Sequence, residues 1–285
     1  MGITNFDQIA LGGIASINGA ELSNIKAAVL KGGTIRFVDA NIAASGNGLS
    51  WTGAYKTMAA AFAVLASGDT IIFRGKIREQ LTSPALIFDV AASTWTTPAV
   101  GATTAPLLIL QQQGWRFVNV LFAGPTDSDC VKLHRTEEGA NERDASHAQF
   151  IDCRFASGYN GINDTGGCAH VLVQGCRFEA LTNFAIYGVG NIGAGQVYWQ
   201  ILDNTFNGFT NGVKIAADGC RIQNNTFTVG GNPGTTVVLN IVNAIAANNF
   251  VVDNFFQTTT ANFNTPDVVG NASDVWYNVS FDGQA

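Results

Sequence analysis

The sequence predicts an all-β chain folded as a parallel β-helix with a short helical cap at its N-terminal end. Three observations predict it. A six-residue pattern, ending in Phe, recurs seven times from Phe117 onward at intervals of 21–33 residues. The residue two before each Phe is alike in neighbouring repeats. The composition favours β structure with frequent turns: 13% charged residues, against about 25% in an ordinary globular chain, and 32 Gly in 285 residues.

Residues 1–32 differ from the rest. Ile9–Gly19 is apolar and turn-rich, and Glu21–Leu30 has the composition of a short helix. The segment is too short for a core of its own. Two readings stand open: an arm that docks on a partner protein, or a strand and helix packed on the first coil.

Residues 35–79 contain the entry into the solenoid. Ile35–Asp39 reads as a strand, followed by a Gly/Ser-rich turn over 45–50. A helix is expected over about 51–65, because Ala54, Met58, Ala61, Phe62 and Leu65 recur at three- and four-residue steps. Thr52 is placed to cap its start and Ser67-Gly68 to end it. A helix here covers the open strand edge that a β-helix exposes at its end.

That stretch resembles the entry segment of phage tailspike and pectate-lyase-like proteins. The matching residues are Val38-Asp39, Ser50-Trp51, Ala54-Tyr55, Ala59–Ala61, Gly68–Ile71 and Gly75 with Glu79. The resemblance implies a right-handed, single-stranded parallel β-helix over about 33–285. It implies little about activity, since enzymes and structural proteins share the fold. For phage proteins of this kind it also implies a homotrimer.

Beyond Glu79, the uncharged stretch 91–106 reads as a long loop with Trp95 at its centre. Trp95 is either a contact residue or a lid over a gap in the solenoid. The repeats follow: Phe117–Phe122, Phe150–Phe155, Val173–Phe178, Ile201–Phe206, Ile222–Phe227, Ile245–Phe250 and Trp276–Phe281. Residues two apart on a strand share a face, so each terminal Phe points inward only if a bend intervenes. The residue two before each Phe runs Val120, Cys153, Cys176, Asn204, Asn225, Asn248, Val279. This reads as an internal ladder in which stacked Asn amides satisfy one another. A further strand follows each Phe, at 130–133, 161–163, 185–187, 212–215 and 237–239, with Asn160-Gly161 and Asn211-Gly212 as corners. Residues 251–285 are expected to form a last coil or cap.

Several function classes are excluded by composition. The net charge is −6, and no Lys or Arg follows Arg221. A nucleic-acid surface needs a basic stripe. No apolar run reaches the ~18 residues of a membrane span, and the N-terminus lacks the regions of a signal peptide. The five Cys (Cys130, Cys153, Cys168, Cys176, Cys220) form no C-x-x-C pair. They are expected to be reduced, packed thiols rather than disulfides or zinc ligands. No cofactor and no metal is expected.

Candidate chemistry is sparse. Asp152 and Asp203 occupy the same repeat position two coils apart, about 9–10 Å. That spacing suits an inverting pair with a water between them; the alternative is that they are ordinary edge acids. The dense ionisable cluster His134, Arg135, Glu137, Glu138, Glu142, Arg143, Asp144 and His147 lies in the insertion that lengthens one repeat. It reads either as a protruding contact for a partner subunit, a glycan or a cation, or as a solvated loop of mixed charge. His170 stands alone in a strand-like run.

The expectation is therefore a non-enzymatic phage surface protein, made in the host cytoplasm and carried on the virion. It decorates the capsid as a homotrimer, with residues 1–32 held by the major capsid protein or another virion protein. A spike that binds or cleaves host polysaccharide is the alternative.

Overall fold

The computed structural model describes residues 16–17, 20–21, 34–66, 68–83, 89–96, 105–136, 143–164, 166–189, 196–228, 237–241, 249–257 and 275–281. The strands of its two large sheets pair in parallel, coil on coil, as a β-helix requires. One seven-stranded sheet stacks Leu81–Thr82, Leu108–Leu110, Val131–Leu133, Ile162–Asp164, Phe184–Gly188, Asn211–Ile215 and Val237–Ile241. A fifteen-stranded sheet carries the other two faces of each coil. Those faces are joined where Asp89–Thr96, Arg116–Ala123 and Phe250–Gln257 run through the bend as single eight-residue strands.

The bend explains the hexad. In four successive coils the strand breaks at Asp152, Gly175, Asp203 and Asn224, with φ of 52°, 64°, 58° and 56°. In the eight-residue strands Asn119 (55°) and Asp253 (56°) hold the same left-handed turn. One such residue reverses the alternation, so the hexad's first residue and its terminal Phe both face inward. Phe117, Phe122, Phe150, Phe155, Phe178, Phe206 and Phe227 are fully buried. From Phe122 through Phe155, Phe178, Phe206 and Phe227 to Phe256 the rings stack at centroid distances of 4.5–5.1 Å. Each burial contributes about 1.5–3 kcal/mol, and each stacked pair about 0.5–1.5 kcal/mol more.

The register corrects the repeat frame near its end. Thr226 pairs with Phe255 and Phe227 with Phe256, so the repeat is Val251–Phe256 and not Ile245–Phe250. The ladder residue is therefore Asn254, not Asn248, and Phe250 opens the strand as a residue 42% exposed. In the last strand, Val275–Phe281, the register shifts between Val252 and Phe255, so Ser280 and not Phe281 pairs with Phe256.

Two polar ladders run along the axis. In the first, Asn225 Oδ1 accepts from both N and Nδ2 of Asn204, each at 2.9 Å, and Asn254 Oδ1 accepts likewise from Asn225 at 3.0 and 2.8 Å. The second runs through the opposite corner. Asn211 Nδ2 donates to Asn183 Oδ1, Asn183 Nδ2 to Asn160 Oδ1, and Asn160 Nδ2 to Asp129 Oδ1. Gly161, next to Asn160, is not a left-handed corner. It is needed for space, since a Cβ there would lie 2.5 Å from the Ala185 carbonyl and 2.9 Å from the Phe178 ring.

The entry segment is held by its acids. Asp69 accepts from the backbone N of Thr34 and Ala66 and from Arg36 Nε. Asp39 pairs with Arg74 at 2.8 Å. Ala54, Met58, Ala61, Phe62 and Leu65 are buried as the periodicity predicts, and Phe62 meets Trp115 at 5.6 Å. The helix itself is shorter than expected, Met58–Phe62. Tyr55 is drawn into a parallel bridge with Val38, through Asp39 N to Tyr55 O and Tyr55 N to Phe37 O at 2.8 Å each. That pairing competes with a helical turn before residue 57. Thr57, not Thr52, is the N-cap, and Glu79 accepts from the next two amides, Met58 N and Ala59 N.

Of residues 1–33, only the two short strands Ser16–Ile17 and Ala20–Glu21 are described, and they pair antiparallel. The reading of this segment as an arm otherwise lies outside the described residues.

Candidate functional site

Asp152 and Asp203 stand in the column of left-handed corners, with Gly175 between them. Asn and Asp tolerate this conformation better than other non-glycine residues, which accounts for Asn119, Asp152, Asp203, Asn224 and Asp253 sharing it. The Asp152 carboxylate lies over Gly175, where a Cβ would come within 2.3 Å of its Oδ1. Asp203 accepts from Asn224 Nδ2 at 3.2 Å and from Gln174 Nε2 at 3.4 Å. Below them Arg154 and Arg177 both reach Glu179, the latter at 3.1 Å. The acids thus have backbone and neighbour-amide roles of their own.

Trp95 is not in a loop. It lies in the strand Asp89–Thr96, which pairs along its length with Arg116–Ala123, and its register partner is Phe122. Ile77 pairs with it from the preceding coil. The stretch carries no charge after Asp89 and pairs on both sides, so it adds a coil where a loop was expected.

The ionisable insertion leaves the solenoid as an antiparallel hairpin base, with Arg135 opposite Asp144 and Thr136 opposite Arg143. Glu137, Glu138 and Glu142 lie outside the described residues. The base is tied down: His134 O accepts from Ala145 N, and Arg135 Nη1 donates to Gly167 O at 2.7 Å. Burial works to raise the carboxyl of Asp144. Hydrogen bonds from Ser146 and Gln113, with the Arg135 charge, outweigh it and hold the group below its ordinary range. Asp129 behaves oppositely. Its burial raises it despite donors from Asn163 and Asn160 and the charge of Lys132.

Three residues that sequence reasoning left apart come together just beyond the hairpin. His147 and His170 stack at 4.7 Å with planes 4° apart, and His170 stacks on Tyr198 at 5.1 Å. His170 is therefore neither alone nor in a strand. All three rings are exposed, and each residue sits at a left-handed corner, with φ of 61°, 55° and 64°. Gly114 and Gly219 occupy the coils before and after, at 77° and 67°. The signal was present in the repeat frame: each of the five lies three residues before the first residue of its hexad.

Among the described residues no group of three or more His, Cys, Asp or Glu is placed to hold a metal ion. All five Cys are free and buried. Burial pushes the Cys130 thiol up to about 12 and raises Cys168 and Cys176 as well.

No family model matches the chain, and no curated protein matches it. Solved structures do. PfbA, a surface adhesin of Streptococcus pneumoniae, is similar at 12% identity with a TM-score of 0.49, over 67% of this chain and 55% of that one. The chain thus spans about half the length of the adhesin. A rhamnogalacturonan lyase is similar at 12% identity and TM-score 0.48, covering 80% of this chain and 71% of the other. Pectate lyase Pel9A is similar at 14% identity and TM-score 0.42, covering 85% and 80%. All three are right-handed parallel β-helix proteins. The parallel coil-on-coil register of this chain is that of a parallel β-helix.

Proposed function

We propose that the chain is a non-enzymatic surface protein of a phage particle, a capsid decoration carried as a homotrimer and attached through residues 1–32. The phage assignment draws on the likeness of Val38-Asp39 through Glu79 to the tailspike entry segment. The non-enzymatic half draws on one observation. The stacked acids Asp152 and Asp203 fill left-handed corners shared with Asn119, Gly175 and Asn224, and Asp203 is held by two amides. Residue types at this column follow backbone need, which Gly, Asn and Asp all meet.

The test is reducing-end release from a panel of bacterial and plant polysaccharides, with the full chain and with Asp152→Asn and Asp203→Asn. The proposal expects no release by any of the three proteins. Release by the parent that both substitutions abolish would replace it with a polysaccharide-cleaving spike.

A further inference from the structure

Asp129 ends the corner ladder of amides, and only one of its carboxylate oxygens serves that ladder. Oδ1 takes Asn160 Nδ2. Oδ2 instead takes Nδ2 of Asn163 at 2.7 Å, from the outer row of the following coil. The carboxyl is only 7% exposed, and burial raises it above the ordinary carboxylate range against the pull of both amides and of the Lys132 charge.

Lys132 stands beside the same amide. Lys132 and Asn163 are register partners on parallel strands, so their backbones lie about 4.8 Å apart. Each is the outward middle residue of a three-residue strand whose ends are buried. Ile109 precedes the pair in register and Tyr187 follows it, both half-buried. An aliphatic side chain and a ring therefore bracket the lysine and the amide and reduce their contact with water.

Two loose ends meet in this pair. Asn163 Oδ1 is buried with no donor among the described residues. Lys132 makes no hydrogen bond among them, and its charge acts on Asp129. Register flanks the Asn163 amide with two donors, the Lys132 ammonium and the Tyr187 hydroxyl. Of these, the amine is the nucleophile toward an amide carbon once it is deprotonated.

We propose that Lys132 and Asn163 join in an intramolecular isopeptide bond, with Asp129 carrying the protons. Asp129 takes a proton from the Lys132 ammonium, and the freed Nζ attacks Asn163 Cγ. The Nζ–Cγ bond forms and the Cγ–Nδ2 bond breaks. Asp129 Oδ2, already on Nδ2, hands its proton to that leaving nitrogen and takes a second one from Nζ. Ammonia departs and picks up the second proton, so Asp129 returns to a carboxylate. The products are one secondary amide and one ammonium ion, and nothing is oxidised or reduced. The bond staples two successive coils on their outer face. The inference goes beyond the virion assignment and does not depend on it.

The experiment is mass spectrometry of the full chain, intact and after proteolysis. The expected mass is short of the sequence by one ammonia, with a branched peptide joining the segments that hold Lys132 and Asn163. Lys132→Arg keeps the charge on the outer face but removes the nucleophile, and Asp129→Asn keeps the side-chain shape but carries no proton. Each is expected to restore the full mass and abolish the branched peptide, with circular dichroism reporting the fold. A parent of full mass, with Lys132 and Asn163 in separate peptides, overturns the proposal. So does a loss of ammonia that Lys132→Arg leaves in place, the result that ring closure at Asn160-Gly161 would give. A branched peptide formed as fully in Asp129→Asn overturns the role of Asp129.

Discussion

One inward column of the solenoid is built in two ways. In the coils at Cys153 and Cys176 it carries thiols; in those at Asn204, Asn225 and Asn254 it carries amides. Both reach the same target, the carbonyl of the first hexad residue one coil back. Cys153 Sγ donates to Phe117 O at 3.5 Å and Cys176 Sγ to Phe150 O at 3.3 Å. Asn204, Asn225 and Asn254 donate through Nδ2 to Val173, Ile201 and Ile222 at 2.9–3.0 Å. The amide also brings an acceptor. Asn204 Oδ1 takes Cys176 N at 2.8 Å, and Asn225 and Asn254 take the residue before them twice. A thiol is a weak donor and a weak acceptor. The difference teaches that the bend can be closed by one weak thiol bond per coil or by an amide rail that both donates and accepts, and that the rail couples successive coils more tightly.

The largest effect is expected from breaking the rail in its middle. Asn225→Ala takes the Asn225 partner from Asn204 N, from one N–H of Asn204 Nδ2 and from Ile201 O in a buried place. At about 1–3 kcal/mol for each orphaned group, urea denaturation should show a loss of about 4 kcal/mol. A loss under about 1 kcal/mol would mean that the amides merely fill space.

Alkaline pH tests the buried thiols next, Cys176 in this column and Cys130 outside it, since burial raises both. A thiol raised by burial stabilises the fold fully below its ordinary value of 9.0, and that contribution is lost as pH rises toward the folded value. For Cys130 the window runs from about 9 to about 12. Denaturation midpoints should fall across it, and Cys130→Ala should flatten the fall. A parent curve level up to pH 12 would contradict the buried, protonated thiol.

Cys176→Ala should be milder than Asn225→Ala, about 1 kcal/mol by urea denaturation, since it removes one weak donor and a small volume. Smallest of all is Cys176→Asn, which extends the rail one coil with the donor target, Phe150 O, already in place. Its stability should lie within about 1 kcal/mol of the parent; a cost matching that of Asn225→Ala would show that the thiol coils cannot accept an amide.

Much of this column was legible because the hexads repeat its residue types in register. The Phe stack, the paired Cys and the Asn ladder through Asn225 all follow from the spacing and from the demand that buried amides be paired. The frame slipped where Asn248-Asn249-Phe250 imitates the pattern one strand too early, while the true repeat ends in two aromatics, Phe255-Phe256. The cap helix is shorter than its apolar periodicity because that periodicity cannot register Tyr55's pull toward Val38. The strand holding Trp95 reads as a loop in sequence because it carries no copy of the hexad to compare. Exposed corners leave no hydrophobic signature in a sequence; only the repeat frame, extended three residues upstream, brings His147, His170 and Tyr198 together. The acids at Asp152 and Asp203 were visible as a stacked pair, but their left-handed backbone was not.

The central claim, a phage surface protein, is tested most directly by immunogold electron microscopy of phage particles from the source of this sequence, with antibody against the chain. Label spread over the capsid shell is the result predicted. Label on the tail alone would contradict the decoration role, and particles without label would contradict the virion assignment altogether.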